Sequence, residues 1–257
     1  MQIAVITITR NNVEGLRRTI TSVRCQTYAD ILHVIVIVDG DSTDGTAEVL
    51  DAERRNGTAM VETAPPAGVY DAINRGIRVA LDAGADVIGL LHAGDTYASD
   101  DVMAQVAEAF DEGDIDFVYG DLHYSRAGSD KVLRYYGAAH FTPAMLRQGY
   151  APGHPTLYLT RRAAQVAGPY DTGFRVGGDF EMWLRLFEHT ELRPRYLPID
   201  MVCMDTGGLS QRWYSRLVTN NRERLRSFRM HGLPASHLNI LRHYTHVLKS
   251  FICRKQR

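Results

Sequence analysis

His33-Val34-Ile35-Val36-Ile37-Val38 runs directly into Asp39-Gly40-Asp41-Ser42-Thr43-Asp44-Gly45-Thr46, and this junction decides the fold. The first half is an unbroken apolar run, as expected of a parallel strand covered on both faces. The second half is a turn-rich loop whose Ser42, Thr43 and Asp44 are candidate N-caps for a helix over Thr46–Arg55. The same alternation surrounds it. Ile3–Ile8, Thr58–Glu62 and Asp86–Leu91 read as strands. Val13–Cys25, Val69–Ala83 and Asp100–Glu112 read as helices, the first with Leu16, Ile20 and Val23 at helical spacing. Strand–helix alternation over the first 112 residues predicts an α/β domain with a parallel sheet.

The second half of the chain changes character. Ile115–Tyr119 and Asp121–Tyr124 read as two strands around Gly120, and Val132–Tyr136 as a third, so an antiparallel insertion is expected. Pro143–Gln148 reads as a short helix, Pro155–Thr160 as a strand, and Arg161–Ala167 and Asp179–His189 as helices. Arg195–Ile199 and Met201–Met204 read as strands. Gln211–His231 and Ala235–Ile252 read as two basic amphipathic helices.

The chain has 257 residues, 45% hydrophobic and 23% charged, with a net charge of -1. That composition excludes disorder, collagen and coiled coil as the main state. Near-neutrality hides an asymmetry: residues 210–257 hold eleven Lys or Arg and one acid, Glu223. A basic tail on an acidic body points to a polyanionic surface, nucleic acid or anionic lipid, or else to a solvated helical face. Cys25, Cys203 and Cys253 are odd in number and far apart, which supports neither a disulfide framework nor a cysteine zinc site. No stretch approaches the roughly 20 apolar residues of a membrane helix. The start of the chain lacks a basic region, so no signal peptide is expected and the cytoplasm is the expected location.

Ligands of parallel α/β sheets sit beyond the carboxyl ends of the strands. Asp39–Asp44 and His92-Ala93-Gly94-Asp95 both fall there. Carboxylates at strand ends can accept hydrogen bonds from a uracil N–H or a ribose hydroxyl. A hard cation needs only one or two carboxylates where substrate phosphates complete its shell. A capped structural loop is the competing reading of the first segment.

As a set, these segments resemble family 2 glycosyltransferases with the GT-A fold. Val38–Thr46 is similar to that family's nucleotide-binding loop. Thr7-Ile8-Thr9-Arg10-Asn11 stands where the family has I-P-T-x-N, with Ile8 replacing Pro. Ser22–Thr27 resembles the end of its first helix, and Gly68-Val69-Tyr70-Asp71-Ala72-Ile73-Asn74-Arg75-Gly76-Ile77 resembles the G-I-Y-D-A-M-N-K-G-I segment of a bacterial polysaccharide and glycolipid (colanic-acid-type) branch. Ala93-Gly94-Asp95 occupies the D-x-D position. Val118-Tyr119-Gly120-Asp121 and Gly207-Gly208-Leu209-Ser210 are typical of the branch, and Gly178–Leu186 matches E-D-Y-D-L-W-L-R-L. The resemblance spans residues 1 to about 210, leaving 211–257 as a basic helical extension. Within the first part, residues 1–112 would bind the nucleotide and 113–210 would serve acceptor and catalysis.

The resemblance implies an inverting, non-processive transfer from a nucleotide-diphosphate sugar to a saccharide or lipid-linked acceptor. In it Thr9, Asn11, Asp39, Asp41, Asp71 and Asn74 would serve the donor, and Asp95 would hold Mn²⁺ or Mg²⁺. Asp179 would be the base that activates the acceptor hydroxyl, and His154 would lie near the acceptor, although a hydrogen-bonded loop histidine reads equally well. Three departures stand out: Ala93 for the first Asp of D-x-D, Ile73 where a related pattern has Arg, and Gly178 for the Glu of the E-D pair. The Q-x-x-R-W motif of processive synthases is absent. Two other classes stay open on the residues alone. A nucleotidyltransferase would need a glycine-rich basic loop after the first strand, which Thr9–Asn12 lacks. A polyanion binder would use the tail, but no nucleic-acid recognition motif is present and no nucleic-acid partner is expected. The tail is expected to dock the protein peripherally on an anionic membrane surface.

Overall fold

The computed structural model describes residues 1–38, 42–64, 67–129, 131–206 and 213–236. Asp39, Asp41, the Gly207–Ser210 motif and nearly all of the expected helix over Ala235–Ile252 lie outside the described residues.

Strand β1 (Ile3–Thr9) is buried along its whole length and is the centre of the N-terminal half. It pairs in parallel with β2 (Ile31–Val38) on one side and β4 (Val87–Leu90) on the other. β3 (Met60–Ala64) extends the parallel edge. The two faces of β1 build two cores, because side chains alternate along a strand. Ala4, Ile6 and Ile8 pack with α3 (Val69–Asp82), α5 (Arg161–Ala167) and α6 (Gly178–Glu188). Ile3 and Val5 face α4 (Val102–Asp111) and Val23 of α1 (Val13–Arg24), and α1 packs with α2 (Thr46–Asn56) over Ile35 and Ile37.

Beyond β4 the sheet continues with β8 (Tyr158–Thr160), β6 (Phe117–Ser125), β9 (Pro194–Asp205) and β5 (Thr96–Tyr97), and β7 (Arg134–Tyr136) pairs with β6. The long ladders are parallel, including β6 with β9; the antiparallel ones, at β8, β7 and β5, span only two or three residues each. The sheet is therefore mixed, as expected, with β8 reversing direction in its middle.

Two pairs of expected short strands are single long ones. β6 passes through Gly120 and β9 passes through Asp200, both at register shifts where the two strands meet. Polar or small residues at a β-bulge look like strand ends in sequence. Gly120 is required by close approach, since a Cβ there would stand 2.6 Å from Met201 Sδ. Two smaller differences follow the same logic of local hydrogen bonding. His154–Thr156 is a 3₁₀ turn, so the strand expected from Pro155 starts only at Tyr158. The N-cap of α2 is Gly45 in a left-handed conformation, while Asp44 accepts hydrogen bonds from Thr46 N (3.1 Å) and Oγ1 (2.7 Å).

The last described helix, α7 (Trp213–Met230), packs against α6. Leu225 and Phe228 are buried, with Phe228 edge-on to Phe180. The Glu223 carboxylate accepts the backbone N–H groups of Arg175, Val176 and Gly177 ahead of α6. His231 bridges Glu181 and Glu188. Basic residues of this helix are thus partly turned inward: Arg224 is buried and Arg226 pairs with Asp171 at 2.9 Å.

Candidate active site

Two carboxylates, Asp95 and Asp179, organise the carboxyl edge of the sheet. Asp95 follows β4 in a loop fixed by buried Thr19 of α1. The Thr19 hydroxyl donates to Asp95 O (2.7 Å) and accepts from Gly94 N (3.0 Å), and Gly94 turns with φ at 112°. The Asp95 carboxylate is 8% exposed and accepts the Asp205 N–H at 3.3 Å. Burial pushes its pKa up to about 7; the Asp205 N–H opposes this and the Asp205 charge adds to it. Asp205 is itself held by Arg18 at 2.7 Å.

A carboxylate kept from water, with another acid close by, suits a cation that the protein holds by few ligands. Among the described residues no group of three or more His, Cys, Asp or Glu could hold a metal alone. The donor set therefore fits a hard divalent ion whose shell is completed by phosphate and water, and does not fit a closed all-protein site.

Asp179 stands in the first turn of α6 and borders a cavity of about 310 Å³ shared with Tyr124, Arg134, His154, Trp183 and Arg224. Its pKa is raised by burial, against the pull of Arg224 and of the Phe180 N–H, which donates to Oδ1 at 2.7 Å. Tyr124 on the cavity wall feels the charge of both carboxylates: its ionisation is opposed first by burial and also by Asp95 and Asp179, against the pull of Arg134.

Tyr70, in the first turn of α3, sets the position of Asp179. Its hydroxyl oxygen accepts the N–H groups of Gly178 (2.8 Å) and Asp179 (3.3 Å). These are among the N–H groups a helix start leaves without partners. The same contact explains Gly178, because a Cβ there would stand 2.8 Å from the Tyr70 ring. Glu at this position is incompatible with Tyr70 where it sits. Tyr70→Phe is expected to leave the two N–H groups without their acceptor and to lower stability by about 1–3 kcal/mol, measured by urea unfolding.

The other expected site residues fall into two groups. Among the described residues, Thr9 ends β1 with its buried Oγ1 lacking a hydrogen-bond partner, and buried Asp71 Oδ2 has no hydrogen bond but pairs with Arg75 Nε at 3.5 Å. Both are polar groups with capacity for a ligand. Asn11 and Asn74 instead tie loops together. Asn11, at φ 44°, accepts Thr43 N (2.9 Å) and gives its own N–H to Ser42 Oγ (3.0 Å). Asn74 clamps the Tyr170 backbone from both sides (2.8 and 2.9 Å). Tyr170 in turn bonds His154 Nε2 through its hydroxyl at 2.8 Å and stacks on Tyr70.

His154 shares the cavity of Asp179, where burial lowers its pKa to about 4 and keeps it neutral. His92 is also held neutral, at about 4, by burial first and by His154, while Asp179 opposes. Glu181 faces away from the cavity wall and is bridged by Arg185 (2.7 Å) and His231 (3.2 Å). Asp121 is a structural acceptor for Tyr135, Tyr196 and Ala138 N. The residues that sequence reasoning passed over are Tyr70, Tyr170 and Arg224. Arg224 stacks over Phe180 with its Cζ 4.2 Å from the ring centroid and donates to Gly149 O. In sequence it is one of eleven bases in the tail, with nothing to mark it.

Comparison with known proteins decides the family. The Glycosyl transferase family 2 profile matches residues 4–191. The chain belongs to the family 2 glycosyltransferases. An uncharacterized glycosyltransferase of Mycobacterium tuberculosis is 32% identical over 186 residues, 71% of this chain and 68% of that protein. A PGL/p-HBAD biosynthesis glycosyltransferase of Mycobacterium bovis is 28% identical over 211 residues, 80% of this chain and 78% of that one. Among solved structures, Staphylococcus aureus TarS 1–349 in complex with UDP-GlcNAc superposes with a TM-score of 0.69 at 13% identity, over 95% of this chain and 73% of that one. The mannosyltransferase PcManGT from Pyrobaculum calidifontis, in complex with GDP-Man and Mn²⁺, gives 0.64 at 13% identity, over 99% and 76%. The chain spans 43% of the longer TarS chain. These structures confirm the GT-A fold. Family membership also removes the nucleotidyltransferase and the non-enzymatic polyanion binder as readings.

Proposed function

We propose that this glycosyltransferase moves a single sugar from a nucleotide-diphosphate donor to a hydroxyl of a saccharide or lipid-linked acceptor, with inversion, in building a cell-surface polysaccharide or glycolipid. The observation that carries this reading is Asp179: a half-buried carboxyl at the head of α6, on the wall of a cavity roomy enough for part of an acceptor. Its raised pKa makes the carboxylate a stronger base than an exposed one. The acceptor O–H gives its proton to Asp179, and the oxygen attacks the anomeric carbon from the face opposite the nucleotide. The anomeric carbon–oxygen bond to the diphosphate breaks and the nucleoside diphosphate leaves.

Among the described residues, Thr9 Oγ1 and Asp71 Oδ2 are buried oxygens that accept no hydrogen bond, and both are suited to donor contacts. Asn11 and Asn74 act through the loops they hold, and Asp39 and Asp41 take the nucleoside by family resemblance. Asp95 would hold Mn²⁺ or Mg²⁺. When bound, the ion supplies positive charge against the departing diphosphate. His154, neutral and bonded to Tyr170, lines the acceptor side.

A panel of uridine-, guanosine- and adenosine-diphosphate sugars, scored by nucleotide release with and without Mn²⁺, tests the reading without an acceptor. One donor is expected to release nucleotide in a metal-dependent way. Release from none, by folded protein with Mn²⁺ present, overturns it.

A peripheral place at the cytoplasmic face of a membrane suits a lipid-linked acceptor. Among the described residues no helix is long and apolar enough to cross a membrane. The bases of residues 237–257 are the docking candidates, at roughly 1 kcal/mol each on an anionic surface. The full chain is expected to sediment with anionic vesicles at low salt, to ignore neutral ones, and to be released by high salt. A chain ending near Leu233 is expected to stay in the supernatant. If the full chain ignores anionic vesicles at low salt, the tail serves the fold or the acceptor instead.

A further inference from the structure

Cys203 lies on β9, in register with His123 of β6 and with Thr96 of β5. Successive residues of a strand face opposite sides. Met204 lines the cavity of Asp179, whereas Cys203 opens into a separate groove of about 620 Å³ along α1. His123 Nδ1 is 2.8 Å from Asp200 Oδ2, and His123 stands directly opposite Cys203 in the β6–β9 register. Ser125 Oγ stands 2.8 Å from the Cys203 sulfur. Thiol, imidazole and carboxylate therefore stand side by side, with the sulfur at the groove and the acid paired to the ring. The sugar-transfer chemistry uses none of these three groups.

The electrostatics favour the thiolate. The hydrogen bond to Asp200 is the main cause that raises the His123 pKa to about 9, so the ring is cationic near neutrality. Burial alone pushes the Cys203 thiol up, but the neighbouring His123, Ser125 and Thr96 side chains and the charge of His123 outweigh it, and its pKa is lowered. Charges elsewhere along the groove offset one another: Glu14, Asp100 and Asp205 face Arg17, Arg18 and Arg126. Thiolates paired with a cationic histidine in a partly exposed site are the reactive ones.

We propose that Cys203, backed by His123 and Asp200, is a thiol-modification site that exchanges with small neutral disulfides entering along the α1 groove. The Cys203 thiolate attacks one sulfur of the disulfide. A new sulfur–sulfur bond forms to Cys203 as the old one breaks, and the second half leaves as a thiolate that takes its proton from His123 or water. The small disulfide is the oxidant, and Cys203 ends as a mixed disulfide. Because β9 runs on to Asp205, whose N–H bonds Asp95, an adduct here sits two residues from a partner of the proposed metal ligand.

The test is timed exposure of the full chain to 2-hydroxyethyl disulfide between pH 6 and 8, read by peptide-resolved mass spectrometry. Cys203 is expected to gain the mercaptoethanol adduct severalfold faster at pH 6 than a small free thiol does, with a pH profile displaced to lower pH. His123→Gln is expected to slow the reaction severalfold at pH 6 and to return the profile towards that of the free thiol. Asp200→Asn, which keeps the imidazole, gives the same direction and serves if His123→Gln does not fold. The proposal is overturned by a wild-type Cys203 whose rate and pH profile match those of the free thiol, or by variants that react as fast as wild type. Loss of two hydrogens with Cys25 and Cys203 linked, and no adduct, overturns it as well.

Discussion

Asp179→Asn is expected to keep donor binding and to slow sugar transfer by about 10²–10⁴-fold. The amide has nearly the same shape, and its oxygen can still accept the Phe180 N–H that Asp179 Oδ1 accepts now. What it cannot do is take a proton from the acceptor hydroxyl. The wild-type pH profile is fixed by the same group. Burial raises the Asp179 pKa, so the working carboxylate is lost as pH falls through a value above the ordinary carboxylate range. The acid limb of kcat is expected to sit correspondingly high, and Asp179→Asn is expected to flatten it. Arg224 opposes this shift through its positive charge, so Arg224→Met, which retains an apolar stem over Phe180, is expected to move the limb further up. Normal turnover by a folded Asp179→Asn enzyme, measured with the donor identified in the panel, would remove Asp179 from the chemistry.

The sequence makes the N-terminal half legible because its signals are local. β1, β2 and β4 are apolar runs between turn residues, and α1 and α3 carry their buried residues at helical spacing. Burial on both faces leaves little ambiguity there. The second half is harder because its decisive contacts cross the chain. Gly120 reads as a turn until Met201 is seen against it, and Asp200 reads as a strand end until the bulge against Asp121 is seen. The same distinction divides the site. Asp95 and Asp179 stand out by motif, whereas Tyr70 reaches Asp179 across 109 positions and Arg224 reaches Gly149 across 75. Asn74 belongs to the motif too, but only the structure shows both ends of its amide spent on Tyr170. A motif marks which residues matter; it does not distinguish a group that touches ligand from one that holds the touching group in place.

Asp95→Asn is expected to have effects of opposite sign on donor binding and on stability. With Mn²⁺ present, donor affinity should fall by more than the 10–100-fold typical of disturbing a metal ligand's supporting groups, because here the ligand itself is lost. The metal dependence of donor binding should vanish with it. Stability of the metal-free protein should move the other way. The native Asp95 pKa, near 7, lies above its value in the unfolded chain, so the folded state holds the proton more tightly. The stability this supplies is present in full below the ordinary carboxylate range, and it is lost as pH rises through about 7. Above that pH the fold carries a buried, unneutralised anion, at a cost of at most about 4 kcal/mol for a shift of about 3 units. Asparagine removes that charge and keeps the shape. Urea unfolding with a chelator should therefore find Asp95→Asn more stable than wild type at pH 8, with the gap closing towards pH 5. Added Mn²⁺ should stabilise wild type at pH 8 and leave the variant unchanged, since a ligand that binds only the native state stabilises it in proportion to its affinity. A variant less stable than wild type at pH 8 would show that Asp95 serves the fold through its Asp205 contact. A variant that still gains from Mn²⁺ would place the ion on other residues.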